Sequence, residues 1–531
     1  MLIDTRQLPD GETINADVCI IGAGAAGISL ALELAKARLN VCLLESGGAE
    51  FDAQVQDLYA GPNADSRYYD LDVARLRFLG GTTNHWTGWC RPFRADDFEA
   101  RSWIPHSGWP ITNDDIEPYL QKTHEILDLG PVDFTPSFWQ SELVQREAFN
   151  KSDFIFSGQR LVTHIYQNSL PTRFKDKYFS ALTNSEYIAL YTNASIVEIE
   201  TNEVGSAITR LQGAHFNGKK FFAQGKAYIV AAGGIENARL LLASGNSRLG
   251  GLGNAHGHVG RFFMVHLHVQ KAAEIIVPES DLEAGYYFPK IDQKQTRLTR
   301  AIPALAMDLL QEERLLGVEF ALTPVTVSPG LDSLNALSNS TDNLGEHIWN
   351  ITRDFGNVVD AVYKRMRNTS TGPGDFGDLV GMDVRAILEQ APNPDSRVVL
   401  AEEKDALGMR RIQLDWQLTS LEKRSLRRGL EILGMEIGRL GIGRLKTTVD
   451  VTENSNVWPD ITGVGFHHIG TTRMSKEPED GVVDRNCRVH GTENLYVAGS
   501  SVFVTAGTNT PTYSIVAFAL RLAEHLRTRL A

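Results

Sequence analysis

Histidines at two places in the chain have the surroundings for acid–base or nucleophilic chemistry. The stretch Gly465-Phe466-His467-His468-Ile469-Gly470-Thr471 sets two adjacent imidazoles ahead of a Gly-Thr pair. With an unperturbed pKa of ~6.5, such a group is largely neutral near pH 7 and able to take a proton. Neighbours on a strand point to opposite sides, so only one of the pair is expected to face a ligand, leaving structural hydrogen bonds to the other. A third histidine, His85, stands in "GGTTNHWTGW", residues 80–89. That run is too rich in glycine for a helix interior and too polar for a buried strand, so it reads as a loop that something approaches closely. His85 there is either a structural side chain or a ligand contact.

The elements that must position these residues begin near the N-terminus. In "DVCIIGAGAAGISLALELAKARLNVCLLESG", residues 17–47, an apolar run Val18 to Ile21 enters Gly22-x-Gly24-x-x-Gly27. A helix-like stretch follows, with Leu30, Leu34 and Ala37 on one face, and then a second apolar run, Val41 to Leu44, ending in Glu45. Strand, tight turn, helix and strand in that order suit a dinucleotide. Gly22 permits the turn, Gly24 lets the backbone meet a pyrophosphate at the helix N-terminus, and Gly27 lets helix and strand pack closely. Glu45 is placed to accept from a ribose hydroxyl. At the other end, the run Asn494 to Ala498 predicts a short buried strand broken at Gly499-Ser500-Ser501, where a ligand can come close. Pro511 and Thr512 then open a helix with Ile515, Ala519 and Leu522 at helical spacing, whose N-terminus can point at the same ligand.

Several of these stretches together resemble the glucose-methanol-choline (GMC) oxidoreductases. They are the glycine turn, "YIVAAGGIENARLLLASG" at 228–245, "GRFFMVHLH" at 260–268, "GFHHIGTTRMS" at 465–475 and "VHGTENLYVAGSSVFVTAGTNTPTYSIVAFALRLAEHL" at 489–526, in the family's order over the whole chain. The resemblance implies FAD, bound by a Rossmann-like α/β domain, beside an α+β substrate domain built on an antiparallel sheet. It implies a discontinuous FAD-binding domain at 1–100, 190–265 and 455–531, with a substrate or cap domain at 101–189 and 266–454. Gly22, Gly24, Gly27, Glu45, Gly80, Gly81, Thr83, Asn84, His85, Trp86, Ala232, Gly499, Ser500, Thr510, Pro511 and Thr512 are the implied cofactor contacts.

Oxidation of an alcohol by a flavin is easier when a base removes the hydroxyl proton, because the developing alkoxide pushes hydride out. In the family motif the base stands three residues before the Gly-Thr pair, which selects His467. The family's second polar residue, His or Asn near the start of the last helix, meets a departure here. In Thr508-Asn509-Thr510-Pro511-Thr512 the place before proline is Thr510, and Asn509 lies one step earlier. Either is a candidate, and a helix cap is the alternative for Thr510. The pair His85-Trp86 is most similar to the pyranose oxidase and sugar dehydrogenase branch, in which such a histidine is joined covalently to the flavin. A covalent anchor and a noncovalent neighbour both remain open for His85. The implied activity is oxidation of a sugar, glycoside or polyol. An apolar alcohol such as a sterol or a long-chain alcohol is the enzymatic rival, and a non-catalytic flavoprotein subunit is a further one. Trp86, Trp89 and Trp139 are candidate stacking faces, with core packing as the alternative. Oxygen, a quinone or a separate redox protein is the expected electron acceptor.

Composition narrows the rest. The 531 residues carry a net charge of -13 with no dense Lys/Arg run, which argues against nucleic acid. No stretch approaches the ~20 apolar residues of a membrane span, and the first residues lack a signal-peptide pattern, so a cytoplasmic protein is expected. Cys19, Cys42, Cys90 and Cys487 are scattered without a CxxC and read as buried thiols, not as a metal site. In the middle, "RVVLAEEKDALGMRRIQLDWQL" at 397–418 and "EFALTPVTV" predict antiparallel strands, the former turning near Ala406-Leu407-Gly408. Residues 345–367 predict a helix with Ile348, Ile351, Phe355, Val358, Val362 and Met366 on one face, and 368–378 a loop near the active-site mouth.

Overall fold

The apolar run Val18–Ile21 is a fully buried strand inside a six-stranded sheet. Its order is Leu2–Asp4, Ile188–Thr192, Val41–Leu44, Val18–Ile21, Ala227–Val230 and Leu495–Val497, with every neighbouring pair parallel. Parallel strands covered on both faces have no solvent side. Hence three of the central strands are unbroken apolar runs and not alternating ones. Helix Ala25–Lys36 packs on Val18–Ile21 and Val41–Leu44 and against the C-terminal helix Pro511–Leu530, so the two chain ends meet in one layer. These features come from a computed structural model, which describes the chain apart from residues 64, 66, 140–155, 157, 170–171, 246–249, 278–289, 292–297, 328–348, 351–377, 451–457 and 460–461.

A four-stranded sheet, Glu12–Asn15, Lys220–Gln224, Ile208–Ala214 and Ile196–Thr201, flanks the parallel one. The third sheet is antiparallel and nine-stranded. Its main path runs Arg444–Thr447, Leu267–Ile276, Asp378–Leu388, Val318–Val327, Leu298–Leu305, Leu161–Asn168 and Trp89–Cys90. Lys290–Ile291 and Thr462–Val464 pair onto it at Leu298–Leu305 and Leu267–Ile276. Helix Ser420–Arg439 packs on this sheet. At the contact, Gly429 lies so close that an added Cβ would stand 3.1 Å from the Phe320 ring and 3.4 Å from Val318. Val318 and Phe320, two apart on their strand, share the face that meets the helix. The architecture is thus a mixed α/β fold with an FAD-type parallel sheet and a curled antiparallel sheet.

The stretch 397–418 forms the expected hairpin, Arg397–Lys404 with Arg410–Asp415, turning through Gly408 at φ 84°. It is a two-stranded sheet of its own and does not join the large sheet that holds Val318–Val327. The predicted helix at 345–367 lies outside the described residues except Trp349 and Asn350, which are helical, and the loop at 368–378 does so except Asp378, which begins a strand. All four cysteines are free and buried. Among the described residues no helix is long and apolar enough to cross a membrane.

Candidate active site

The glycine turn after Val18–Ile21 shows three different uses of a missing side chain. Gly22 has φ 102°, and an added Cβ would lie 2.6 Å from the Ala231 carbonyl oxygen. A Cβ on Gly27 would lie 1.9 Å from the Gly22 oxygen, so helix and turn meet in backbone contact. A Cβ on Gly24 meets nothing within 4 Å, and Gly24 lines a cavity that also reaches Glu45, Gly81 and Gly499. Open space at the helix N-terminus is what a pyrophosphate requires. Glu45 is buried at the end of Val41–Leu44 and accepts from the backbone N–H of Ala23 (2.9 Å) and Gly47 (3.0 Å). Burial raises its pKa against those bonds. These observations fit the dinucleotide end of FAD.

The loop that carries His85 is built against this turn. The Gly80 N–H donates to the Ala23 carbonyl at 2.9 Å, and Gly80 and Gly81 have φ of 92° and 53°. Thr83 donates to the Gly80 carbonyl (2.6 Å), and Asn84 donates to Leu79 (2.9 Å) and Gly81 (3.0 Å). Asn84 is therefore spent on shaping the loop and does not line the cavity, whereas Thr83, His85 and Trp86 do. Arg173 donates to the carbonyls of Thr83 and Trp86, both at 3.0 Å, and the Trp86 indole donates to Thr172 (2.9 Å). Among the described residues nothing hydrogen-bonds the His85 ring, which lies 5.7 Å from Phe466. Partial burial and then the Arg173 charge lower its pKa, favouring the neutral imidazole.

The third wall comes from the last strand and helix. Asn237 ties the end of that strand to the turn after Ala227–Val230: it accepts from Ala232 N–H (2.8 Å) and donates to the Ala498 carbonyl (3.0 Å) and Ser501 hydroxyl (2.8 Å). Gly499 turns at φ 110°, and Ser500 donates to the His468 carbonyl at 2.6 Å. Thr510, Pro511 and Thr512 line the cavity at the start of Pro511–Leu530. The Thr510 side chain does not cap that helix; its hydroxyl donates to the Trp89 carbonyl at 2.5 Å. Asn509 is fully buried outside the lining, and neither polar atom of its amide has a partner. Trp86 and Trp89 line the cavity, while Trp139 is buried in the second core and donates to Asp133 at 2.7 Å.

Both His467 and His468 line the cavity, contrary to the alternation expected of a strand, because the strand Thr462–Val464 ends before them. Among the described residues nothing hydrogen-bonds the His468 ring. Its ring stacks on Phe263 at 6.0 Å, its Nε2 has no partner, and burial followed by the Arg75 charge pushes its pKa down to about 3. His467 is gripped differently. Its Nδ1 stands 2.6 Å from Nδ1 of His266, and the Nε2 of His266 lies 3.0 Å from the Gly507 carbonyl and 3.2 Å from that of Ala506. A carbonyl only accepts, so His266 Nε2 carries the hydrogen. Burial favours the neutral form of both rings. A neutral imidazole has one N–H, so His266 Nδ1 accepts and His467 Nδ1 donates. Among the described residues nothing hydrogen-bonds the Nε2 of His467, whose lone pair is left free.

Four contributors escaped the sequence reading. His266 and His268 were in view as "HLH", whose alternation on a strand puts both on one face, and the His268 ring lies 6.4 Å from that of His467. Arg77 lines the cavity near Ser46 and pairs with Glu236 at 3.1 Å; Arg75 pairs with the same carboxylate at 3.0 Å. Burial works against the Glu236 carboxylate, but Arg239, Arg77 and Arg75 hold its pKa at about 2. The only sequence signal for the two arginines was their Arg-x-Arg spacing ahead of Gly80.

A family model described as GMC oxidoreductase matches residues 392–519, and one described as FAD dependent oxidoreductase matches residues 17–299. The chain is 22% identical to the fructose dehydrogenase large subunit of Gluconobacter japonicus, over 97% of this chain and 98% of that protein. It is 21% identical to 2-methyl-1,2-propanediol dehydrogenase of Mycolicibacterium austroafricanum, over 97% and 96%. The solved structure of pyridoxine 4-oxidase from Mesorbium loti superposes with a TM-score of 0.56 at 16% identity, covering 96% of this chain and 99% of that one. With the glycine cradle and both chain ends converging on one cavity, the chain belongs to the GMC oxidoreductases, a family of FAD-dependent enzymes.

Proposed function

We propose that the chain oxidises an alcohol carbon of a sugar, glycoside or polyol, with His467 as the base. The observation that carries this reading is the His266–His467 contact, which leaves the Nε2 lone pair of His467 free beside the cavity. FAD, when bound, supplies the two-electron acceptor for the hydride. The residues named above for the glycine turn, Glu45, the His85 loop and the start of the last helix would hold it. His467 Nε2 takes the substrate hydroxyl proton, and the resulting imidazolium keeps its Nδ1–H bond to neutral His266.

Thr510 is poorly suited to steady the substrate oxygen, because its hydroxyl hydrogen is committed to Trp89 and only lone pairs remain. His268 answers that need: it lines the same cavity, and burial, then the Arg385 charge and His266, push its pKa down to about 3, so it is neutral with one N–H to give. Two relatives matched over nearly their whole length, a fructose dehydrogenase subunit and a diol dehydrogenase by name, support a hydroxylated substrate.

The test is anaerobic mixing of the FAD-loaded protein with a panel of sugars and polyols. Bleaching of the flavin is expected. His467→Ala should keep the flavin spectrum and slow the bleaching by roughly 10²- to 10⁴-fold. Unchanged kinetics in that variant would remove His467 from the reaction, and bleaching by long-chain alcohols alone would replace the substrate class.

A further inference from the structure

The face of the nine-stranded sheet that carries His268 also carries two arginines without partners among the described residues. Register establishes the shared face. Ile387 stands opposite both His268 and Glu319, Arg385 opposite Ala321, Ala304 opposite Glu319, and Arg300 opposite Tyr166. Directly opposed residues, and residues two apart on a strand, point the same way. Arg300, Arg385, Tyr166, His164, Glu319 and His268 therefore project together, towards the loop before the last helix, where Thr508 donates to Glu319 at 2.7 Å.

The acids on this face are already engaged. Glu319 is fully buried and takes Arg91 (3.0 Å), His164 (2.7 Å), Tyr166 (2.8 Å) and Thr508. Asp383 has Lys271 at 3.4 Å. Among the described residues neither Arg300 nor Arg385 has a hydrogen bond or an ion pair, and the Nε of each is buried without an acceptor. Burial and then the Arg385 charge push the pKa of Arg300 down to about 10, and burial lowers that of Arg385. Two buried and unneutralised guanidinium groups on one face are costly alone and favourable with an anion between them. Their planar donors suit the oxygens of a carboxylate or phosphate.

We infer that Arg300 and Arg385 form the anion-binding end of the substrate site, so that the alcohol oxidised beside His467 and His268 carries a carboxylate or a phosphate ester. This rests on the alcohol-oxidising reading above and narrows it to anionic substrates. Sugar acids, hydroxy acids and sugar phosphates share the required chemistry. A neutral polyol leaves both guanidinium groups unpaired.

The test uses the FAD-loaded full chain with two sets of probes. Succinate and inorganic phosphate, which offer no alcohol, are titrated by calorimetry; gluconate, glucose 6-phosphate and sorbitol are mixed anaerobically and flavin bleaching is followed. Saturable binding of succinate or phosphate is expected, with bleaching at least 10-fold more efficient for gluconate or glucose 6-phosphate than for sorbitol. Which probe of each set responds assigns carboxylate or phosphate. Arg300→Gln and Arg385→Gln should each weaken anion binding by roughly 10-fold or more, and Arg→Lys at the same positions should restore part of it. Variants are compared only where the flavin spectrum and Tm match the parent. Failure of both anions to bind the parent protein, or wild-type binding in both Gln variants, overturns the inference. Sorbitol bleaching the flavin as well as the anions do also overturns it and leaves the alcohol reading standing. Arginine-dependent anion binding with no bleaching by any alcohol supports the anion site and sinks the alcohol reading.

Discussion

Replacing His266 by leucine removes the acceptor of the His467 Nδ1–H while leaving His467 itself in place. The size of the effect follows from the contact. In the ground state the 2.6 Å bond joins two neutral rings, and in the transition state the donor is becoming an imidazolium. A hydrogen bond between neutral groups contributes ~0.5–1.5 kcal/mol, and one to a charged group ~1.5–3 kcal/mol. Only the difference between the two states alters the rate, which leaves about 1 to 1.5 kcal/mol, or roughly 5- to 13-fold. Stopped-flow flavin reduction at saturating substrate reads that factor directly. His266→Asn restores an acceptor near the Nδ1 position and should recover most of the loss, though it gives up the bonds to Gly507 and Ala506. A folded, FAD-loaded His266→Leu protein with the parent rate would refute the assignment of Nε2 as the free nitrogen by this bond. A loss as large as that of His467→Ala would refute it from the other side, since positioning alone does not cost so much.

Other expectations are simpler to state. Burial and three neighbouring histidines hold the His467 pKa well below 6.5, so its neutral, proton-accepting form persists to lower pH. Flavin reduction should therefore keep its rate from pH 8 down to pH 6, where a free imidazole of pKa ~6.5 would be about three-quarters protonated; a midpoint at 6.5 in the rate profile would contradict this. Gly27→Ala sets a Cβ 1.9 Å from the Gly22 oxygen and should lower the Tm of the FAD-free chain, by about 1–3 kcal/mol or more of stability. Gly24→Ala meets no protein atom within 4 Å and should leave that Tm alone while weakening FAD binding. For His85, acid precipitation separates the two forms of contact: yellow colour kept in the pellet requires a covalent link, and colour released to the supernatant leaves packing.

What the sequence revealed and what it hid divide along the range of the interactions. The turn at Gly22, Gly24 and Gly27 was legible because strand, glycines, helix and Glu45 all lie within one short local stretch, and local backbone needs choose the residues. His467 was legible only through a resemblance in motif, since nothing in Phe466-His467-His468 distinguishes the two rings. What distinguishes them is a residue 201 positions away: His266, bonded in turn to carbonyls 240 and 241 positions beyond itself. Pairing of His467 with a single partner cannot be read from either stretch alone. The alternation argument failed for a related reason, because strand geometry applies only while the strand lasts, and pairing with Leu267–Ile276 ends at Val464.

The arginines carry the same point into function. Arg300 and Arg385 look in sequence like two surface cations in largely apolar strands, and solvation is the ordinary fate of such residues. The sheet register turns them to the face shared with His268, and Glu319, the one fully buried acid there among the described residues, is already saturated by Arg91, His164, Tyr166 and Thr508. Had the face been built for neutral sugars, a carboxylate within reach of each guanidinium would relieve the repulsion at little cost, as Glu236 and Asp405 do for Arg75, Arg77 and Arg239 beside the cofactor cradle. The same chain thus handles buried arginines in two ways. Where Glu236 and Asp405 pair with them, every guanidinium has a carboxylate without a ligand; where no described acid does, the missing charge belongs to the substrate.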